Sequence, residues 1–524
     1  MGRLAWAAAL TALTLTGGAR AQAPPPVQMP AGAQVPGAAG PRGLAKPAPT
    51  ATPATDPALA IPPVPTAVAT PLPVTVLGAP AGTPSAAAGS SGGGNAENPK
   101  TTEADKPLAD SLHQDDNYGL KALFDSLHPP GKSKPWYEKL NVRGYTQFRF
   151  TRTLDQDLRG GDPNILGDRS VNGSAENISI RRARFILFGD VSEHLGIYAQ
   201  PDFANLPTSD SSATFFGQLR DLYGDVYLDK EKVHRLRVGL SKVPFGFENM
   251  QSSQNRTPLD RTDPINTAVS PNERDLGVFY YWTPVEKQQL LRDLVDGGLK
   301  GSGNYGVFGF GVYNGQGGSQ VEKNLNLHAV ARVTWPFQLS DGQVVEASVQ
   351  GYTGEVVVSG AEIRPLGVGD LIEPDGTGGT RGFRDQRVAG TFVWYPQPFG
   401  FQAEWSVGNG PGLNAAQTEV ELRSLHGGYL MAVYRHDTPE YGIVTPYARW
   451  QYFRGGYRSA ANAPFGTHEQ WDLGVEWQIR REMELVVEYS LVDGVTLGAK
   501  DREGARSYKQ FDGGILRLQF QVNY

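Results

Sequence analysis

At 524 residues with no cysteine, the chain has room for several domains or one large barrel, and it lacks disulfides, thiolate metal sites and cysteine nucleophiles. Its formal net charge of −6 argues against general nucleic-acid binding. Hydrophobic residues make up 39% and the mean hydropathy is −0.36, which excludes a bundle of membrane helices but not a β-barrel, whose alternation averages to a soluble-looking composition.

The first residues run in the order of a secretory signal: Arg3, an apolar stretch over 4–16, then Ala19-Arg20-Ala21 as a small-x-small cleavage site. The apolar stretch falls short of the roughly 20 residues a spanning helix needs, so residues 1–21 are expected to be a cleaved signal peptide. Its removal takes away Arg3 and Arg20 and leaves the mature chain two charges more negative. Residues 22–102 are mostly Pro, Ala, Gly and Thr, with too little apolar surface to offset ordering entropy. They are expected to be disordered with local polyproline II character, giving reach and no chemistry. In 103–138, Leu108, Leu112, Leu120, Leu123, Phe124 and Leu127 predict short helical turns, ended by Pro129-Pro130.

At Lys139 the period changes to two. Leu140, Val142, Phe148 and Phe150 share one face; Asn141, Arg143, Gln147 and Arg149 share the other. The same alternation recurs to the last residue, clearest over 197–203, 222–228, 327–335, 345–351, 388–394, 401–407, 444–452, 471–479 and 483–491, and less regularly over 178–190, 305–314 and 419–434. This predicts an all-β fold, a transmembrane antiparallel barrel of about 16 strands over 139–524. Short connections such as 192–195, 396–400 and 480–482 alternate with long ones at 152–176, 243–272, 355–385 and 492–514. That is the turn-and-loop asymmetry of outer-membrane barrels, with the outer membrane as the expected location. The connection 284–304 is too long for its side and has no explanation at this level. The apolar face carries Trp335, Trp394, Trp405, Trp450, Trp471, Trp477 and Tyr489, in keeping with interfacial aromatic girdles in contact with lipid.

The stretch 235–282 organises the rest. A strand with Leu236, Val238 and Leu240 on one face stops at Pro244, and alternation resumes at Leu276, Val278, Tyr280 and Trp282. Between them lies a long polar loop with Arg256, Asp260, Arg261 and Asp263 and almost no sizeable apolar residue. A loop this long is usually functional, and in a wet barrel it folds inward and narrows the hole.

Several segments resemble the phosphate-selective porin O and P family: RGYTQFRF, IRRARF from Ile180, AQPDFA from Ala199, RDLYGDVYLD from Arg220, GLSKVPFGFEN from Gly239, ERDLGV from Glu273, GVYNG from Gly311 and the closing aromatic strand. The resemblance covers about 142–524. It implies a sixteen-stranded homotrimeric barrel constricted by its third loop, with basic residues attracting anions such as phosphate. Carried over by position, the basic candidates are Arg182, Arg184 and Lys242. The third loop departs from the pattern, with Glu248, Asp260, Asp263 and Glu273 beside Arg256, Arg261 and Arg274 and no lysine run. The final strand, ending in Tyr524, looks like the signal read by the barrel-assembly machinery.

With the apolar face outward, Arg143, Arg149, Arg182, Arg184, Arg237, Arg332, Arg449 and Arg517 point into the lumen. Closure would bring Arg517, Arg143, Arg149, Arg182 and Arg184 into one basic arc. The inward acids Asp202, Asp221, Asp225, Asp472, Glu476, Glu484 and Glu488 are expected to form opposed arcs that set a transverse field, or else to pair across strands. The candidate pore-lining and anion-binding set is therefore Arg143, Arg149, Arg182, Arg184, Arg237, Lys242, Arg256, Arg261, Arg332 and Arg517. No HExxH or Walker loop occurs, and no catalytic residue, metal site or cofactor is expected. The reading is passive diffusion of small polar solutes with a preference for anions. The alternative is a structural or adhesion barrel, tethered to the cell wall or a partner through the Pro/Ala segment.

Overall fold

The computed structural model describes residues 135–154, 176–204, 217–262, 274–318, 322–358, 382–497 and 508–524. The expectations for 1–21, 22–102 and nearly all of 103–138 lie outside these residues. A short 3-10 turn, Trp136–Lys139, leads into the first strand. The strands are β1 Leu140–Thr153, β2 Glu176–Asp190, β3 Leu195–Asp202, β4 Gln218–Tyr227, β5 His234–Lys242, β6 Arg274–Trp282, β7 Phe308–Tyr313 and β8 His328–Gln338. They continue as β9 Val344–Val356, β10 Phe383–Trp394, β11 Phe399–Leu413 and β12 Val420–Tyr434, which resumes as His436–Thr438 after a break at Arg435. Last come β13 Gly442–Gly456, β14 Phe465–Arg480, β15 Met483–Leu497 and β16 Tyr508–Asn523. Each pairs antiparallel with its neighbours in sequence, and β1 pairs with β16, so the sixteen-stranded sheet closes on itself.

The alternation fixes which face is which. Along β10, Arg387, Ala389, Thr391 and Val393 are buried while Val388, Phe392 and Trp394 are exposed; Val388 is 55% exposed and Arg387 2%. Val349, Leu430, Trp471 and Phe520 continue the exposed apolar band on other strands. A protein surrounded by water puts its arginines outside and its valines inside. This inversion is stable only where lipid covers the outside and the charges find partners within. Trp405 stacks on Trp450 and Tyr452 at ring separations of 6.1 and 6.3 Å, part of the expected aromatic girdle.

Closure is made by the last residue. The Gly144 amide donates to the Tyr524 carbonyl at 2.5 Å, and the Tyr524 amide donates back at 3.0 Å. Glycine is needed at 144, because a Cβ there would lie 2.4 Å from the Tyr524 ring and 2.6 Å from the Arg184 carbonyl.

Three connections differ from expectation. The eighth loop is shorter than 492–514, since β15 runs to Leu497 and β16 starts at Tyr508. There the outward positions include Asp493 and Asp512, so the hairpin rises past the point where lipid demands an apolar face. The β5–β6 loop is not poor in apolar residues: Val243, Phe245, Phe247, Met250 and Leu259 are all buried, and Phe247–Met250 form a helical turn, α1. The long β6–β7 connection contains a twelve-residue helix, α2 Val285–Asp296. Its Leu291 and Leu294 pack against Val344, Val393 and Tyr395 of the inner wall and against Phe247 of the β5–β6 loop.

Candidate functional site at the infolded third loop

The β5–β6 loop enters the lumen because its apolar residues have docking places on the inner wall. Phe245 meets the Tyr352 ring edge-on at 4.9 Å, Phe247 approaches Tyr395 at 6.5 Å, and Leu259 packs with Val433, Tyr447 and Val486. The loop thus crosses from β9–β10 to the wall of β12–β15.

Two acids clasp the loop to the far wall. Asp260 accepts two hydrogen bonds from Arg149, at 2.8 and 3.0 Å, and a short one from Arg517. Arg181 approaches it at 4.0 Å. Burial alone would raise the Asp260 pKa, but Arg149 and then Arg517 overcome it and hold it well below the carboxylate range. Glu248 binds Arg449 at 2.6 Å with one oxygen and the Thr262 amide and hydroxyl, both at 2.7 Å, with the other. Behind them, Arg449 and Arg517 are held by wall acids: Arg449 by Asp472 at 2.8 Å, and Arg517 by Glu488, which also accepts from the Tyr447 hydroxyl at 2.6 Å.

On the β1–β2 side the loop meets bases. Lys242 donates to the Met250 and Gln251 carbonyls at 2.8 and 2.7 Å, and Arg261 donates to the Gln251 and Glu248 carbonyls. Arg184 binds Asp202 at 2.7 Å and the Tyr145 hydroxyl at 2.8 Å, and Arg182 donates to Gln147 at 2.7 Å. Opposite Gln147–Phe148 the strand pairing skips one residue of β2, and this bulge turns both Arg181 and Arg182 inward. Arg256 stands apart. It is buried and, among the described residues, donates only to the Pro258 and Leu259 carbonyls at 3.0 and 2.7 Å and leaves Nη1 without a partner. Burial, and then the Arg182 guanidinium, pull its pKa down to about 9, the mark of a cation short of counter-charge.

A closed sixteen-stranded barrel, its third loop folded inward onto wall arginines, has the geometry of a diffusion channel. The sequence model of phosphate-selective porin O and P matches residues 153–524. The chain belongs to the phosphate-selective porin O and P family. It is an outer-membrane porin, a channel for passive diffusion. Solved structures with a similar barrel include an outer-membrane protein, OmpT of Vibrio cholerae, at 11% identity, over 74% of this chain and 97% of that one, with a TM-score of 0.43. Others are the channel DcaP of Acinetobacter baumannii (14%, 74% and 97%, 0.42) and an anion-selective porin from Comamonas acidovorans (9%, 74% and 99%, 0.41). These likenesses are too distant to say what this porin passes. A search of curated protein sequences finds no match.

Of the ten basic candidates, this porin gathers Arg149, Arg182, Arg184, Lys242, Arg256, Arg261 and Arg517 around the third loop. Arg143 also faces inward but is exposed, nearer the turn end, with its guanidinium 5.0 Å from the Phe188 ring. Arg237 and Arg332 stand elsewhere on the wall, paired with Asp225 at 2.8 Å and Glu346 at 3.2 Å. The inward acids all face the lumen, yet they do not form arcs opposed to the bases. Asp202 and Asp221 adjoin the arc on one side, Asp472 and Glu488 on the other, and each is paired with a neighbouring arginine. Buried charges are costly unless paired, and for these acids pairing wins over separation. Arg181 escaped the sequence reading, because strict alternation puts either Arg181 or Arg182 inside and only a bulge admits both.

Proposed function

We propose that this porin prefers small anions, phosphate among them, and that the preference is set where the third loop meets β1, β2 and β16. The observation that carries this is the partition of charge. Among the described residues, the acids of the loop, Glu248 and Asp260, are engaged by Arg449, Arg149 and Arg517, while Arg256 stays buried with an Nη1 that has no partner there and is close enough to Arg182 to feel its charge. A guanidinium with spare donors suits phosphate or carboxylate oxygens. The same reading has the chain exported by residues 1–21 and inserted through recognition of its C-terminal strand. It then assembles as a homotrimer, with residues 22–102 a disordered segment and 103–138 a short helical linker ahead of the barrel. Liposome swelling tests the preference. Purified protein should admit small neutral sugars, and small organic anions faster than cations of equal size. Liposomes that stay impermeable to all three would replace this reading with a structural or adhesion barrel.

A further inference from the structure

The β6–β7 connection lies at the turn end, where about two to five residues suffice between neighbouring strands. Here it spends twenty-five residues, 283–307, and it does not stay at the rim. After α2 the tract Gly297-Gly298-Leu299-Lys300-Gly301-Ser302-Gly303 crosses to strands β14 and β15, which stand halfway round the wall from β6 and β7. Lys300 carries the contact: its ammonium lies 2.5 Å from Glu476 and 3.9 Å from Glu484. Burial works against that charge, but Glu476 and then Glu484 outweigh it and raise the Lys300 pKa.

The crossing is fastened at several points. Gly297 accepts from Arg435 at 2.8 Å, Asn304 from Arg235 at 2.7 Å, and Gly306 from Arg332 at 2.9 Å. Gln251 of the third loop donates to the Lys300 carbonyl at 2.6 Å, so the two infolded segments touch inside the barrel. A cleft of about 450 Å³ lies at the turn end of β1–β4, lined by Asn141, Tyr198, Tyr223 and Asp225. Lys300 has φ +66°, the left-handed conformation that a lysine adopts reluctantly and a glycine freely. In a tract of glycines, the one residue placed against backbone preference is the one that reaches the two carboxylates.

We infer that the β6–β7 connection is a second constriction, below the third loop, and that Lys300 is a specificity-determining residue there: it offsets part of the negative charge of Glu476 and Glu484, which uncompensated would draw cations and repel anions. This rests on the porin reading above and deepens it. The lysine also holds the crossbar in place, so its loss both exposes negative charge and loosens an obstruction. Removing one partner of a buried pair leaves the other uncompensated, and here two carboxylates would be left.

The test is the selectivity of the full-length protein in planar bilayers at low salt, where screening is weakest. Lys300→Gln should raise the cation-to-anion permeability ratio roughly threefold or more and raise the conductance, whereas Lys300→Arg should behave as the unaltered chain. Lys300→Gly relieves the backbone yet removes the charge, so it should still shift toward cations. Adding Glu476→Gln and Glu484→Gln to Lys300→Gln should abolish the shift toward cations, returning the ratio to the original value or to the anion side of it. Because the chain has no cysteine, Lys300→Cys can be treated with aminoethyl methanethiosulfonate, which reinstates an ammonium and should reverse the shift. If Lys300→Gln and Lys300→Gly leave the ratio unchanged in a chain that conducts, this inference is wrong and the porin reading stands. If the unaltered chain inserts and never conducts, both fall together.

Discussion

Asp260→Ala is expected to open the channel and, at the same time, to weaken its preference for anions. Asp260 is the point at which Arg149 of β1 and Arg517 of β16 hold the third loop against the wall. Breaking one side of a buried pair costs about 3–5 kcal/mol, because the remaining charges lose their partner. The hydrogen-bonded barrel does not depend on this clasp, so the cost falls on the docked loop, which undocks locally. Conductance should rise roughly twofold or more as the constriction widens. The sign of the selectivity change separates two accounts. Deleting an acid by itself makes the lumen more positive and favours anions. Releasing the loop carries Arg256 and Arg261 away from Arg182 and Arg184, which disfavours them. The clasp predicts the second. Higher conductance with stronger anion preference would mean that Asp260 acts only as a charge; unchanged conductance would mean that Glu248–Arg449 suffices to hold the loop.

Replacing both loop arginines, Arg256→Glu with Arg261→Glu, is expected to give the largest change in selectivity. Each exchange reverses a buried charge on the infolded loop. Physiological salt leaves interactions within about 8 Å largely unscreened, so these residues outweigh the acidic surface of the rest of the chain. A change of roughly tenfold in the anion-to-cation permeability ratio corresponds to about 1.4 kcal/mol of barrier difference. The effect should shrink at 1 M salt, where the screening length falls to about 3 Å. Arg261 also braces the loop through the Glu248 and Gln251 carbonyls, so Arg256→Gln with Arg261→Gln serves as the control. That control should sit between the unaltered chain and the double glutamate. Equal selectivity in all three would remove the third loop from the selectivity filter.

The barrel was legible because lipid imposes its pattern on every strand. Val388, Phe392 and Trp394 have to face out, so Arg387 and Thr391 have to face in. Parity of the connections then follows from antiparallel pairing. Legibility ended where lipid stops dictating. The hairpin at Leu497 and Tyr508 extends past the membrane, and its mixed outward residues read as loop. The inward direction of Arg149, Arg517, Asp472 and Glu488 could be read from alternation, and cross-strand pairing such as Arg517 with Glu488 was one expected outcome, but the partners on the loop could not be read. Arg517 meets Asp260 across 257 residues of sequence, a contact fixed by the path of a loop and not by strand register. Asp260 therefore looked like a departure from a basic loop, whereas in the fold it is the residue that keeps the bases in place. The β6–β7 connection did carry a signal: Leu290, Leu291 and Leu294 recur at helical spacing, and α2 buries the last two. Its route across the lumen to Glu476 had none, since a single lysine among glycines names no partner.

The measurement that bears most directly on the anion preference is the zero-current potential of the reconstituted, unaltered chain across a tenfold gradient of potassium chloride at low ionic strength. An anion-preferring pore, governed by Arg256, Arg182 and their neighbours, gives a potential displaced toward the chloride equilibrium value, with the displacement shrinking as total salt rises. A potential displaced toward the potassium value would contradict the account. It would place control with the acids of β14 and β15, and leave the arginines of the third loop as struts.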